Sequence, residues 1–278
     1  MRPDVAVVGS LHLDIVVTAP RLPHLDETLP GGTWDQRPGG KGLNQAAAAA
    51  RAGARVAMGG RIGADAFGER LRAHLAAHAV DLSCLETDPE TASGMSVAIL
   101  VAGGEYGAVV VSGANARIPA DGLARRWASL WRAPVLLLQN EVPEGVNRAA
   151  ARAARAAGAR VLLNAAPART LPPDLLADTD VLILNRLEAA QIAPQGAAAL
   201  RTPTRAVIVT RGAEGLVLHD TDGRDHAIPA RPVTVHSAHG AGDAFCGTLA
   251  ACLAAGQGLA PACAAAADAA GRFVAGEG

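Results

Sequence analysis

The chain has 278 residues and a formal net charge of −1, enough for one large α/β domain that buries its core without disulfides or metals. Half of the residues are hydrophobic but only 3% are aromatic, and alanine supplies much of that half, so helices can pack closely on a sheet. No basic stripe offers a nucleic-acid surface, so a small anionic ligand has to be held by local groups and not by the global field.

Residues 5–9 form an apolar run typical of a buried strand, entered directly from Met1-Arg-Pro-Asp. No leader-like segment precedes it and no uncharged run reaches membrane-spanning length, which predicts a cytoplasmic protein that does not contact a membrane. Residues 14–37 then break the rhythm, with short polar strands at 28–29 and 33–35 between Pro and Gly. Residues 44–52 predict a helix stopped by Gly53, and 56–59 the next strand. Asp65 caps a helix with Phe67, Leu71 and Leu75 on one face. Residues 96–111 read as two short strands joined at Gly103-Gly104-Glu105. Strands at 135–139, 161–164, 181–184 and 206–210 alternate with helices such as 144–157, which Gly158 ends. Residues 216–219 and 225–228 form a hairpin through Asp222-Gly223. Two helices, 242–255 and 259–273, follow.

This alternation predicts an α/β fold: a mostly parallel central sheet with helices on both faces, in one domain spanning residues 1–278. Residues 14–37 and 96–113 predict a small exposed antiparallel sheet, serving as a lid or a dimer contact, or else two ordinary edge hairpins. The four cysteines, Cys84, Cys246, Cys252 and Cys263, contain no C-x-x-C pair and read as reduced thiols.

Residues 240–245, Gly-Ala-Gly-Asp-Ala-Phe, carry the strongest chemical signal. Gly240, Ala241 and Gly242 open a helix whose first N–H groups lack partners, a place that binds phosphate. Asp243 beside such a site suits a hydroxyl that loses its proton while attacking a phosphoryl group. An N-cap Asp after a Gly-rich turn is the other reading.

Gly39-Gly40-Lys41-Gly42-Leu43-Asn44 lacks P-loop spacing. Its glycines admit a ligand, and Lys41 and Asn44 offer donors suited to a polyol, unless this is only a loop with Asn44 near a helix cap. Asn185 and Glu188 follow a strand, where open α/β sheets gather ligands. Such a pair can hold hydrated Mg²⁺ or can simply start a helix. Glu141 follows another strand and can reach the same crevice. The Thr210–Gly215 turn, with Gly212 inside it, offers N–H groups for nucleotide phosphates or is a plain strand-to-hairpin turn. His74 and His78 share a helix face, as a metal pair or as solvent-facing residues. His236 and His239 lie just before Gly240.

Together these pieces resemble the ribokinase (PfkB-type) family of carbohydrate and nucleoside kinases, over nearly the whole chain and in the family's order. The resemblance rests on Val8-Gly9-Ser10 with Asp14, Pro38–Ala46, Ser93–Asn115, Asn164–Arg169, Asn185 with Glu188, and Gly240–Phe245. It implies a ribokinase-like three-layer sandwich with a β lid, ATP and Mg²⁺ as cofactors, and phosphoryl transfer to a primary hydroxyl of a small sugar, first of all ribose. His12, Asp14, Gly39, Gly40, Lys41, Asn44 and Glu141 would line the sugar site. Asn185 and Glu188 would organise Mg²⁺, and Asn185, Thr210, Gly212 and Gly215 would meet the nucleotide. Gly240, Ala241 and Gly242 would form the anion hole and Asp243 would be the base. A homodimer through the lid is also implied.

Three departures bear on this reading. His12 stands where ribokinases usually carry an Asn that touches the sugar, which opens the choice to another sugar or a nucleoside. Ser237 stands where the family often has an Asp for a monovalent cation, and the sequence stops near that site's last loop; both argue against K⁺ activation. Residues 194–204 are short, so one helix is expected to be trimmed. A binding module without turnover is the rival of another class. A nicotinamide enzyme fits poorly, because no G-x-G-x-x-G follows the first strand.

Overall fold

The computed structural model describes residues 2–101, 106–237 and 239–277. Strand β1 (Val5–Val8) is apolar and buried at every position, as a strand covered on both faces has to be. After it come β2 (His12–Ala19), β3 (Trp34–Gly39), α1 (Lys41–Arg51), β4 (Val56–Gly63), α2 (Ala66–Ala77) and β5 (Asp81–Asp88). β6 (Gly94–Val101) and β7 (Tyr106–Val111) precede a short helix, α3 (Leu123–Arg126). Strand and helix then alternate: β8 (Val135–Gln139), α4 (Glu144–Ala156), β9 (Arg160–Asn164), α5 (Pro173–Ala177), β10 (Val181–Asn185), α6 (Arg186–Ile192) and β11 (Ala206–Thr210). β12 (Leu216–His219), β13 (Asp225–Ile228), α7 (Ala241–Ala254) and α8 (Leu259–Val274) follow.

Nine strands form one sheet in the order β13-β12-β11-β10-β9-β8-β1-β4-β5. From β5 across to β11 the pairs are parallel; β12 and β13 add an antiparallel edge. One face packs Leu43, Ala46, Leu249 and Cys263 of α1, α7 and α8 into a core. The opposite face packs Trp127, Val146, Ala150 and Leu175. Helix, sheet and helix thus make three layers, as expected from the alternation. Among the described residues, no helix is long and apolar enough to cross a membrane.

The second sheet has four strands in the order β3-β2-β6-β7. Its outer pairs are antiparallel, but β2 and β6 are parallel, from His12↔Gly94 to Ala19↔Val101. The expectation of an antiparallel sheet therefore fails at its centre. Each of these two strands leaves the main sheet just after a parallel strand, β1 or β5, so both set out in the same direction. Residues 28–29 are not a strand, and the expected turn at Gly103-Gly104-Glu105 lies outside the described residues. Asn115, just after β7, ties the end of this sheet to the link between β1 and β2. It is fully buried, accepts the Leu11 N–H at 2.9 Å, and donates to the Leu11 and Ser112 carbonyl oxygens at 2.8 and 2.9 Å.

Two further differences have local causes. Helix α1 begins at Lys41 and not at residue 44, with Gly40 in a left-handed conformation (φ 88°) as its N-cap. Strand β5 was not expected, because Asp81–Asp88 is a mixed polar run. It sits at the sheet edge, with several of its side chains in solvent.

Candidate active site

The carboxyl ends of β1, β8, β9, β10 and β11 meet the starts of α1, α6 and α7. Close backbone approach makes this possible. A Cβ at Gly42 would lie 2.6 Å from the Gly9 carbonyl carbon, and one at Gly40 would lie 2.9 Å from the His12 nitrogen. Only glycine fits such contacts. Gly247 plays the same part between helices: a Cβ there would come 2.5 Å from the Gln45 carbonyl oxygen, so α7 can lie directly on α1.

Gly40 supplies no side-chain cap to α1. Glu141, from the loop after β8, accepts the Lys41 N–H at 2.9 Å and also the Ser10 hydroxyl. The carboxylate and hydroxyl thereby do the work of an N-cap and pin three segments together. His12 is buried beside them, with Nδ1 at 4.0 Å from Glu141 Oε2. Its Nε2 has no partner among the described residues. Asp14 accepts the Ser96 hydroxyl, and its Oδ2 lies where a Gly39 Cβ would be, at 2.0 Å. Gly39 is therefore needed to make room for Asp14.

Helix α7 starts at Gly240, again left-handed (φ 85°) and without a side-chain cap. A Cβ at Gly242 would meet nothing within 4 Å, so this helix end is open to a ligand. Asp243 lies in its first turn and is 9% exposed. Asn44 Nδ2 donates to its Oδ2 at 3.1 Å and Gln45 Nε2 to its Oδ1 at 2.9 Å. Burial raises the Asp243 pKa despite the charge of Lys41 and the two amide donors. Burial works to lower the Lys41 pKa, but the carboxylates of Asp243, Glu141 and Glu188 outweigh it and leave it raised. Lys41 is thus a charged ammonium set among three acids.

Asn185 and Glu188 start a helix, one of the two readings their sequence offers. The two residues form a capping box at the start of α6: Asn185 Oδ1 accepts the Glu188 N–H at 2.9 Å, and Glu188 Oε2 accepts the Asn185 N–H at 2.8 Å. Glu188 is also half-buried, and burial raises its pKa against the Asn185 N–H and Lys41. Asn185 pairs with Thr210 across β10 and β11. Beyond Thr210 the chain turns through Gly212 (φ 60°) and Gly215 (φ 81°), closed by the Arg211 N–H on the Gly215 carbonyl oxygen at 2.7 Å. A Cβ at Gly212 would meet open space.

His74 and His78 stay outside this crevice and meet each other edge-on, with ring centroids 4.9 Å apart. Among the described residues, no third ligand joins them. His236 and His239 are exposed. The sequence reading gave no role to Ser10, Gln45 or Asn164, although all three hold the site. The available signal was their place in the motifs that carry the resemblance: Ser10 in Val8-Gly9-Ser10, Gln45 in Pro38–Ala46 and Asn164 in Asn164–Arg169.

The family model for pfkB family carbohydrate kinases matches residues 2–278. Ribokinases of Lactococcus lactis and Bacillus subtilis are each 33% identical, covering 88% and 92% of this chain and 82% and 87% of theirs. The solved structure of Arabidopsis thaliana ribokinase, complexed with ribose and ATP, superposes with a TM-score of 0.91 at 28% identity. It covers 99% of this chain and 93% of that one. The whole-chain match and the shared fold show that the protein belongs to the pfkB family of carbohydrate kinases and is a phosphotransferase acting on a sugar.

Proposed function

We propose that this kinase transfers the γ-phosphate of ATP to a primary hydroxyl of a small sugar, ribose first. The observation that carries this reading is the buried Asp243 carboxylate in the first turn of the uncapped α7, bonded to Asn44. A base has to sit where a hydroxyl loses its proton, and developing phosphoryl charge has to meet preorganised donors. Asp243 takes the hydroxyl proton, and the N–H groups of Gly240, Ala241 and Gly242 receive the phosphoryl charge. His12, Asp14, Gly39, Gly40, Lys41, Asn44 and Glu141 surround the sugar. Glu141 also keeps α1 in register, so it acts on the sugar through position as well as contact.

ATP as donor is supported by the relatives: A. thaliana ribokinase was solved with ribose and ATP, and a Cryptococcus neoformans ribokinase with ADP. Asn185, Thr210, Gly212 and Gly215 meet the nucleotide. The donor set fits Mg²⁺, because the helix cap uses Glu188 Oε2 and leaves Oε1 over. One carboxylate oxygen suits an ion that keeps most of its waters. Glu188 would hold it, with Asn185 reaching it through water, and the ion would shield phosphate charge. The four-stranded sheet serves as a lid over the sugar. Its exposed Trp34, Val109 and Val110 support a role as the face for a second copy of the chain.

A coupled ADP-release screen over pentoses, hexoses and nucleosides, with and without K⁺, tests this reading. Ribose should give the highest kcat/KM, independent of K⁺ because Ser237 brings no carboxylate. No turnover on any of these with Mg·ATP would sink it and favour a binding module. Another pentose, 2-deoxyribose, is the second reading. It is supported by a deoxyribokinase of Salmonella typhi that is 29% identical over 89% of this chain. A higher kcat/KM for 2-deoxyribose would establish it.

A further inference from the structure

Behind Asp243 runs a chain of amides whose polarity the backbone dictates. Asn164, at the end of β9, donates from Nδ2 to the Ile183 carbonyl oxygen on β10 at 3.4 Å. A carbonyl oxygen only accepts, so Asn164 has to turn its own Oδ1 the other way. There Oδ1 accepts Gln45 Nε2 at 3.1 Å. The same Nε2 donates to Asp243 Oδ1 at 2.9 Å. Flipping the Gln45 amide would set its oxygen against two other oxygens. Gln45 Oε1 has no partner among the described residues, so the two acceptors on its nitrogen alone fix its orientation. Gln45 is fully buried and cannot touch a substrate.

The two oxygens of Asp243 are therefore not equivalent. Oδ1 faces a donor locked inside the protein. Oδ2 faces Asn44, a partly exposed residue on the sugar side of α1. We propose that Gln45, oriented by Asn164, is a positioning residue. It commits Asp243 Oδ1 to the protein, fixes the carboxylate plane and leaves Oδ2 to accept the proton of the sugar hydroxyl. The inference rests on Asp243 acting as the base.

A donor bonded to the ionised carboxylate lowers its pKa, and its loss raises it. Turnover needs the ionised form, so losing the donor moves the acid limb of the pH–rate profile to higher pH. Gln45→Met keeps the side-chain length and removes the donor. Its kcat should fall about 10- to 100-fold with KM for sugar and ATP little changed. The acid limb should rise by about one pH unit. Asn164→Ala leaves Gln45 free to turn and should shift both readouts in the same direction by less. A folded Gln45→Met enzyme with wild-type kcat and an unmoved acid limb would overturn the proposal. Should Gln45→Met fail to fold, the same result for Asn164→Ala would overturn it. Asp243→Asn separates the two ideas. If it turns over normally, the assignment of the base fails. If it is inactive while Gln45→Met behaves as wild type, only the positioning role fails.

Discussion

Asp243 is asked to be both buried and charged. Burial raises its pKa, while Lys41, Gln45 and Asn44 pull it back toward ionisation. A group whose folded pKa is raised adds stability below its unfolded pKa and loses it as pH rises through the folded value. The ionised form of Asp243 therefore costs folding free energy relative to the protonated one. Asp243→Asn is expected to lower kcat by roughly 10²- to 10⁴-fold, with sugar binding retained in calorimetry. Retained turnover would contradict this account. The identity of Asp243 as the acidic group of the site was legible, because a carboxylate beside two glycines at a helix start is a local pattern. Its donors were only half legible. Asn44 stood out as a polar residue in a glycine-rich motif, whereas Gln45, in the same Pro38–Ala46 stretch, led into the alanines of the helix and carried no role of its own.

At the scale of elements, the glycines and one asparagine set how the pieces meet. Gly40 needs a positive φ and has no room for a Cβ, whereas Gly212 needs only the positive φ. Gly212→Ala should therefore cost about 1 kcal/mol. Gly40→Ala should cost more, roughly 1–3 kcal/mol above that, and also lower kcat by displacing Lys41 and Asn44. Denaturant unfolding of the two variants checks the order. Asn115→Ala would strip partners from both backbone groups of buried Leu11, at about 1–3 kcal/mol for each group left unsatisfied. The start of α1 was misplaced in the sequence because its cap comes from Glu141, 100 residues away from Lys41. The parallel pairing of β2 with β6 was equally hidden, since a strand's own residues carry no mark of its partner's direction.

The molecule as a whole is laced with exposed ion pairs that lower carboxylate pKa values. Bonding to Arg55 holds Asp4 at about 2, and bonding to Arg21 holds Glu27 at about 2. Asp174 is lowered by Arg148 in the same way. Depressed carboxylates contribute stability above their unfolded pKa and lose it as pH falls through the folded value. Tm should therefore decline as pH drops from the ordinary carboxylate range toward about 2. The decline should be shallow, because each pair is solvent-screened. A Tm that holds constant or rises over that interval would count against it.

The amino-acid sequence determined the alternation of strands and helices, the family and the chemical character of each motif. Those depend on local periodicity, backbone freedom and residue type, all of which operate within one turn or strand. Tertiary structure alone decided that Gln45 meets Asp243 across 198 positions, that Glu141 caps α1, and that the small sheet is parallel at its centre. Such contacts are products of close packing between distant segments. Glycine contacts at Gly42 and Gly247 permit that packing, and no local pattern states which surfaces it will join.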